Sequence, residues 1–375
     1  MKMRKLAAVM LICLVFFSCG VPVENATNLE TTATGDFWLP AEYDYIYIYP
    51  SGYGILEQAG RYWIITPDND IIPWDEGYEI AHIGEGLVCV KSKSSGKYGL
   101  ADMDGRVLIQ PQYDESLEFS DGLACVSRDG NIGFIDTENR LVIDYNYEWG
   151  MPFADGRAAV GIGEQFEQFW FIDTQGEIVC GPFEFLNMEV FTFTPAYMEY
   201  SEGYTAYFEK DDSVEPYGRN GEGGYWGYLD KDGRVAVQAE YLSVRPFKEG
   251  LAAVQTREQD WVYIDKNGDR VMKGAACDFS EGLAYNGDGF MDASGQLLVT
   301  LPDGYEVNIG VPDGAENFKF GYVAVSGQAQ DGLTWGIMNT EGEIVIESPD
   351  FEDIQVFNSH LAAVRIGDKW GMVKI

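Results

Sequence analysis

The sequence predicts an all-β protein built from tandem four-stranded repeats, and three observations carry that prediction. An acidic-Gly-Leu element returns at Gly86, Gly122, Gly156, Gly203, Gly250 and Gly282, with weaker versions at Gly52, Gly321 and Ser359. Nine anchors at a mean spacing of about 38 residues describe units that cannot bury their apolar faces alone. Between anchors the apolar residues alternate, as in Leu251 and Ala253, then Trp261 and Tyr263, which is the period of half-buried strands. Finally, the two ends of the array complement each other. The last copy stops after two strands, and the first segment supplies two more.

The N-terminus comes before the array. Lys2, Arg4 and Lys5 precede an apolar run from Leu6 to Phe17, the pattern of a secretory signal. The run is too short to be preferred as a permanent span. It ends in Phe16-Phe17-Ser18-Cys19-Gly20, which resembles a bacterial lipoprotein cleavage site and implies Cys19 as the lipid-bearing first residue of the mature chain. Residues 1–19 are thus read as the signal peptide and 20–36, rich in Thr and Asn, as a flexible tether. Residues 37–375 form a single repeat domain.

The unit is clearest from Tyr225 to Val254. Strand A is GLAAV, strand B WGYLD, strand C GRVAV and strand D YLSVRPF, with turns such as Asp232-Gly233 and Asn267-Gly268 between B and C. Residues 37–50, FWLPAEYDYIYIYP, read as a C and D pair, and Leu361–Ile366 with Trp370–Lys374 as an A and B pair. Joined, they complete a unit, as a closed β-propeller-like ring requires in order to remove its sheet edges. An open β-solenoid or superhelix is the alternative architecture. Extra length around Phe191 to Tyr197 and from Lys210 to Gly224 marks the loops where a repeat scaffold places a binding surface.

These elements resemble the WG-repeat family. The pairs Trp226-Gly227, Trp335-Gly336 and Trp370-Gly371, softened to Tyr98-Gly99 and Ile132-Gly133, are followed by ID or LD, a D-x-x-G turn, and downstream Pro111 to Asp114 and Phe119 to Leu123. The resemblance implies a β-rich array, often exported, with no catalytic residues to carry over.

Composition narrows the chemistry. Against 25 basic residues stand 61 acidic ones, a formal charge of −36, so phosphate binding and with it nucleic acid are disfavoured. His82 and His360 lie in different repeats without ligands at short spacing, and both are read as lying beside turns. Asp230, Asp232, Asp265 and Asp269 are explained by hairpin turns, because the twelve-position calcium-loop spacing is missing. Cys89 and Cys125 share a strand A position in successive copies and are read as buried thiols, with a disulfide as the alternative. Trp38, Trp63, Trp74 and Trp149 fall outside the WG positions.

No cofactor and no catalytic or metal residue is assigned. The reading is an exported, noncatalytic scaffold, lipid-anchored at the cell envelope, that binds a protein or glycan. The alternative is an envelope glycan hydrolase working through paired carboxylates.

Overall fold

The computed structural model describes residues 36–49, 51–75, 77–162, 168–184, 199–211, 213–214, 223–307, 317–329 and 332–375, and those residues contain strands and no helix. Cys19, the tether to residue 35 and the added length from Phe191 to Tyr197 lie outside them. The strands form nine antiparallel sheets, seven with four strands and two with three. Eight follow the chain as simple meanders, and the ninth is closed by the first strand. The third sheet is representative, with β10 (Phe119–Ser120), β11 (Leu123–Arg128), β12 (Asn131–Asp136) and β13 (Leu141–Tyr147).

The phase of the sheets differs from that of the sequence unit. Strand D of each unit opens the next sheet, so a sheet in space reads D-A-B-C. At the termini, β1 (Phe37–Tyr43) pairs with β34 (Lys369–Lys374), placing Phe37 opposite Val373, Leu39 opposite Met372 and Tyr43 opposite Trp370. The ninth sheet takes its D strand from Asp353–Val356, while Tyr45–Ile48 opens the first sheet against Gly54–Gln58. Residues 37–50 therefore serve two sheets, not one. The array is a ring resembling a β-propeller, and the open superhelix is ruled out. Two sheets depart from four strands. In the seventh, residues 274–279 run outside the ladder, and the Tyr263 hydroxyl donates to the Cys277 carbonyl at 2.8 Å.

The family-like Trp-Gly pair has a steric cause. Strand B is crossed so closely by strand C that a Cβ on Gly99, Gly133 or Gly227 would lie 2.4, 2.6 or 2.5 Å from the carbonyl oxygen of Ile109, Ile143 or Val237. No side chain fits there. Neighbouring sheets are then locked by aromatic pairs with ring centroids 4.6–5.1 Å apart: Phe134 on Phe153, Phe171 on Tyr200, Tyr228 on Phe247, Tyr263 on Phe279 and Phe290 on Phe318. Each such contact adds about 0.5–1.5 kcal/mol beyond the buried area. The Phe of each F-x-E-G-L element is thus the contact with the preceding sheet.

The acidic residue of that element has a second task. In six D–A hairpins it takes a positive φ, followed by Gly at 73–88°, for example Glu249 at 53° and Gly250 at 83°. The turn aims the carboxylate at the next hairpin. Glu85 accepts the amide of Gly122, Asp121 that of Gly156, Asp155 that of Gly203, Glu202 that of Gly250, Glu249 that of Gly282 and Glu281 that of Gly321, at 2.6–3.1 Å. Six successive latches join the second sheet to the eighth. The corresponding residues of the eighth and first sheets are Phe320 and Ser51, which have no carboxylate to offer.

Burial opposes ionisation of Glu202, but Lys266 and the Gly250 amide outweigh it and hold its pKa below the usual carboxylate value. A carboxylate with a depressed folded pKa stabilises fully above its unfolded pKa, and that contribution is lost as pH falls through the folded value. Glu202→Gln should therefore lower the melting temperature at pH 7, and the gap to the native chain should close in acid below the ordinary carboxylate range. A gap independent of pH would rule out the latch as its cause.

Candidate functional site

The topology gives the ring two ends. D–A hairpins and B–C turns share one end, while A–B connections lie at the other. At the hairpin end the carboxylates serve the backbone. Asp230 Oδ1 accepts the amides of Asp232 and Arg234, both at 2.9 Å, and Asp265 Oδ1 accepts those of Asn267 and Asp269, both at 2.9 Å. Asp102, Asp136, Asp173 and Asp292 repeat the arrangement. This is the origin of the D-x-x-G turn, and it agrees with the hairpin reading of these residues.

The other singled-out residues separate in the structure. His82 stands on the strand Tyr78–Gly84, edge-on to Tyr49 at 5.2 Å, so it does not sit beside a turn as expected; burial lowers its pKa. His360 does lie at a turn. Cys89 and Cys125 are not joined by a disulfide. Cys89 is buried with Sγ 3.4 Å from Ser116 Oγ, and burial pushes the Cys125 thiol up to about 12. Trp74 and Trp149 are core residues, while Trp38 and Trp63 are half-buried. Among the described residues, no three His, Cys, Asp or Glu side chains are grouped to hold a metal ion.

Two carboxylates outside the repeat motifs interact through their charge. Glu118 and Glu199 precede the buried aromatics Phe119 and Tyr200 of the third and fifth sheets. Burial raises the pKa of both, and the charge of Glu118 raises that of Glu199 further, against the pull of Lys248. Glu199 is nonetheless solvent-accessible.

At the A–B end, a cleft of about 680 Å³ opens between the fifth and sixth sheets. Its wall is formed by Glu209, Lys210 and Asp211 from the end of strand A, Tyr225 from strand B and Arg257 from the A–B turn of the next sheet, with Ala239 beneath. The Arg257 guanidinium lies over the Tyr225 ring, 4.1 Å from its centroid. Asp211 accepts the Ser213 hydroxyl at 2.6 Å and amide at 2.9 Å; these bonds, followed by the attraction of Arg257, lower its pKa. Asp211, Ser213 and Val214, the described start of the added length after Lys210, line the cleft.

A closed ring of antiparallel sheets held by turn carboxylates and inter-sheet aromatics defines a propeller-like repeat scaffold. Residues 98–131, 132–165, 226–258 and 335–370 match the family described as WG containing repeat. Each matched segment begins at strand B, which reproduces the phase offset between repeat and sheet.

Among solved structures, BamB from Moraxella catarrhalis is similar over 90% of this chain and 99% of that one, at 13% identity and a TM-score of 0.38. Hsv2 from Kluyveromyces lactis is similar over 87% and 94%, at 10% identity and a TM-score of 0.29. The WD40 beta propeller domain of Doa1 is similar over 79% and 91%, at 10% identity and a TM-score of 0.26. No curated protein sequence matches the chain.

Proposed function

We propose that the chain is an exported, noncatalytic repeat scaffold, anchored by a lipid on Cys19, that holds a protein or glycan ligand at the cell envelope. The observation that carries this reading is how the chain uses its polar residues. The turn carboxylates close hairpins and latch sheets, whereas the cleft at the loop-bearing end is polar, open and assembled from two sheets. A rigid ring with such an opening suits binding.

The anchor is tested by fatty-acid labelling and fractionation of the full chain in a bacterial host. The native chain should take up label and sediment with membranes, and Cys19→Ala should lose the label. Equal labelling of both would remove Cys19 as the anchor.

A second reading, an envelope glycan hydrolase, draws on Glu118 and Glu199, because a carboxyl whose pKa burial raises is what general-acid catalysis uses. Purified cell-wall glycan separates the two readings. The scaffold should retain it without releasing soluble reducing ends. Release abolished by Glu118→Gln or Glu199→Gln would establish the hydrolase in its place.

A further inference from the structure

We infer that the cleft between the fifth and sixth sheets is a binding site for an uncharged glycan, an inference that rests on the scaffold reading and specifies its ligand. The internal repeats provide the control. Counted five residues back from the last residue of strand B, at Asp102, Asp136, Asp173, Asp265, Asn339 and Lys374, six other sheets hold Lys97, Asn131, Gln168, Asp260, Thr334 and Lys369. All are polar. In the fifth sheet that position is Tyr225, paired with Glu209 across the ladder, so the repeat itself does not require an aromatic there.

Ala239 faces it on strand C, at a position that the repeats fill variously, with Pro111 in the second sheet and Tyr145 in the third. The guanidinium over Tyr225 comes from the neighbouring sheet, and the small Ala239 lines the space of the cleft. A second departure is the length of the A–B connection, residues 211–223, where the third sheet turns with Asp129-Gly130 alone. Of that connection, Asp211, Ser213 and Val214 line the opening.

The wall chemistry selects the ligand. Glu209 and Asp211 balance Lys210 and Arg257, so the cleft is formally neutral in a chain of net charge −36. An anionic ligand would meet the repulsion of the whole molecule, and a cationic one would gain as much from the acidic surface elsewhere. Carboxylate acceptors, ammonium and guanidinium donors and the Ser213 hydroxyl instead suit paired hydroxyl groups. The Tyr225–Arg257 stack adds a flat amphipathic platform. A peptide would need apolar pockets for its side chains, which Val214 and Ala239 do not make.

The test is calorimetric titration of the mature chain with cellohexaose, chitohexaose and maltohexaose, alongside polygalacturonate and poly-lysine. At least one neutral oligosaccharide should bind. Tyr225→Ala and Arg257→Ala should each weaken it about tenfold, as expected for loss of one stacking partner. Tyr225→Phe should hold within about threefold, and Asn131→Ala, at the same position in the third sheet, should leave the Kd unchanged. Thermal unfolding of each variant separates lost binding from lost fold.

Absence of neutral-glycan binding, or binding untouched by both alanine variants, overturns the site. Saturable binding of polygalacturonate or poly-lysine in its place overturns the ligand class and leaves the scaffold standing. Failure of the scaffold reading would show separately, as release of reducing ends from cell-wall glycan.

Discussion

Gly227→Ala will destabilise the ring by about 3 kcal/mol or more, well beyond the usual cost of replacing a glycine. The added Cβ would lie 2.5 Å from the Val237 carbonyl oxygen, 2.8 Å from the Ala239 nitrogen and 2.7 Å from Tyr207 Cε1. Two of these are backbone atoms of a paired strand. They cannot retreat without opening the ladder that sets Tyr228 opposite Val237, and Tyr228 carries the aromatic contact to Phe247. Gly130→Ala is the control. Gly130 has a φ of 82° but no atom within 4 Å of the added Cβ, so it should cost only the left-handed conformation, roughly 1–2 kcal/mol. Urea denaturation midpoints of the two variants measure the difference. Equal losses would mean that backbone conformation, not close approach, fixes the Gly of the Trp-Gly pair.

Removal of the first strand should have an effect of similar scale. A chain starting at Asp36 should unfold like the mature protein, whereas one starting at Asp44 should lose cooperative unfolding. The deleted segment takes with it Trp38, Leu39 and Tyr43, which pack on the cluster of Ile46, Leu56, Phe357 and Met372, and the pairing with the last strand. At roughly 1.5 kcal/mol for each half-buried large side chain, the packing loss alone is on the order of 5 kcal/mol. That is comparable to the whole stability of a marginal domain. The deletion also uncovers a strand edge, so aggregation should accompany the loss. Retained cooperativity would show that closure contributes little to the fold.

The sequence made the repeats legible because a turn that needs two consecutive positive φ angles writes itself as an acidic residue before Gly, and a strand writes itself as alternation. Closure was legible too, since Trp370–Lys374 lacked a partner strand at one end and Phe37–Tyr43 lacked one at the other. The phase was hidden. Nothing local distinguishes a strand D that ends its own sheet from one that opens the next, because that choice is made by packing of Phe247 on Tyr228.

The latches were hidden for a related reason. Glu202 and Glu249 read as solvated charges until the amide of the following repeat is placed within 2.9 Å of them. The cleft was only half visible. Its loop stood out by length, but Tyr225 looks ordinary until the registers align it with Asn131 and Lys97. The Glu118–Glu199 coupling joins residues of the third and fifth sheets and leaves no trace in spacing.

The row of latches has a direction. Every carboxylate reads only the hairpin after it, from Glu85 onward to Gly321, and none carries information about how many hairpins there are. Circumference is therefore not encoded in the joints but decided at the clasp, where Asn358 donates to Asn69 at 2.7 Å and Lys374 reaches Asp36 at 2.7 Å. A chain with one internal repeat duplicated would keep every joint intact and be accepted or refused by whether its ends still meet.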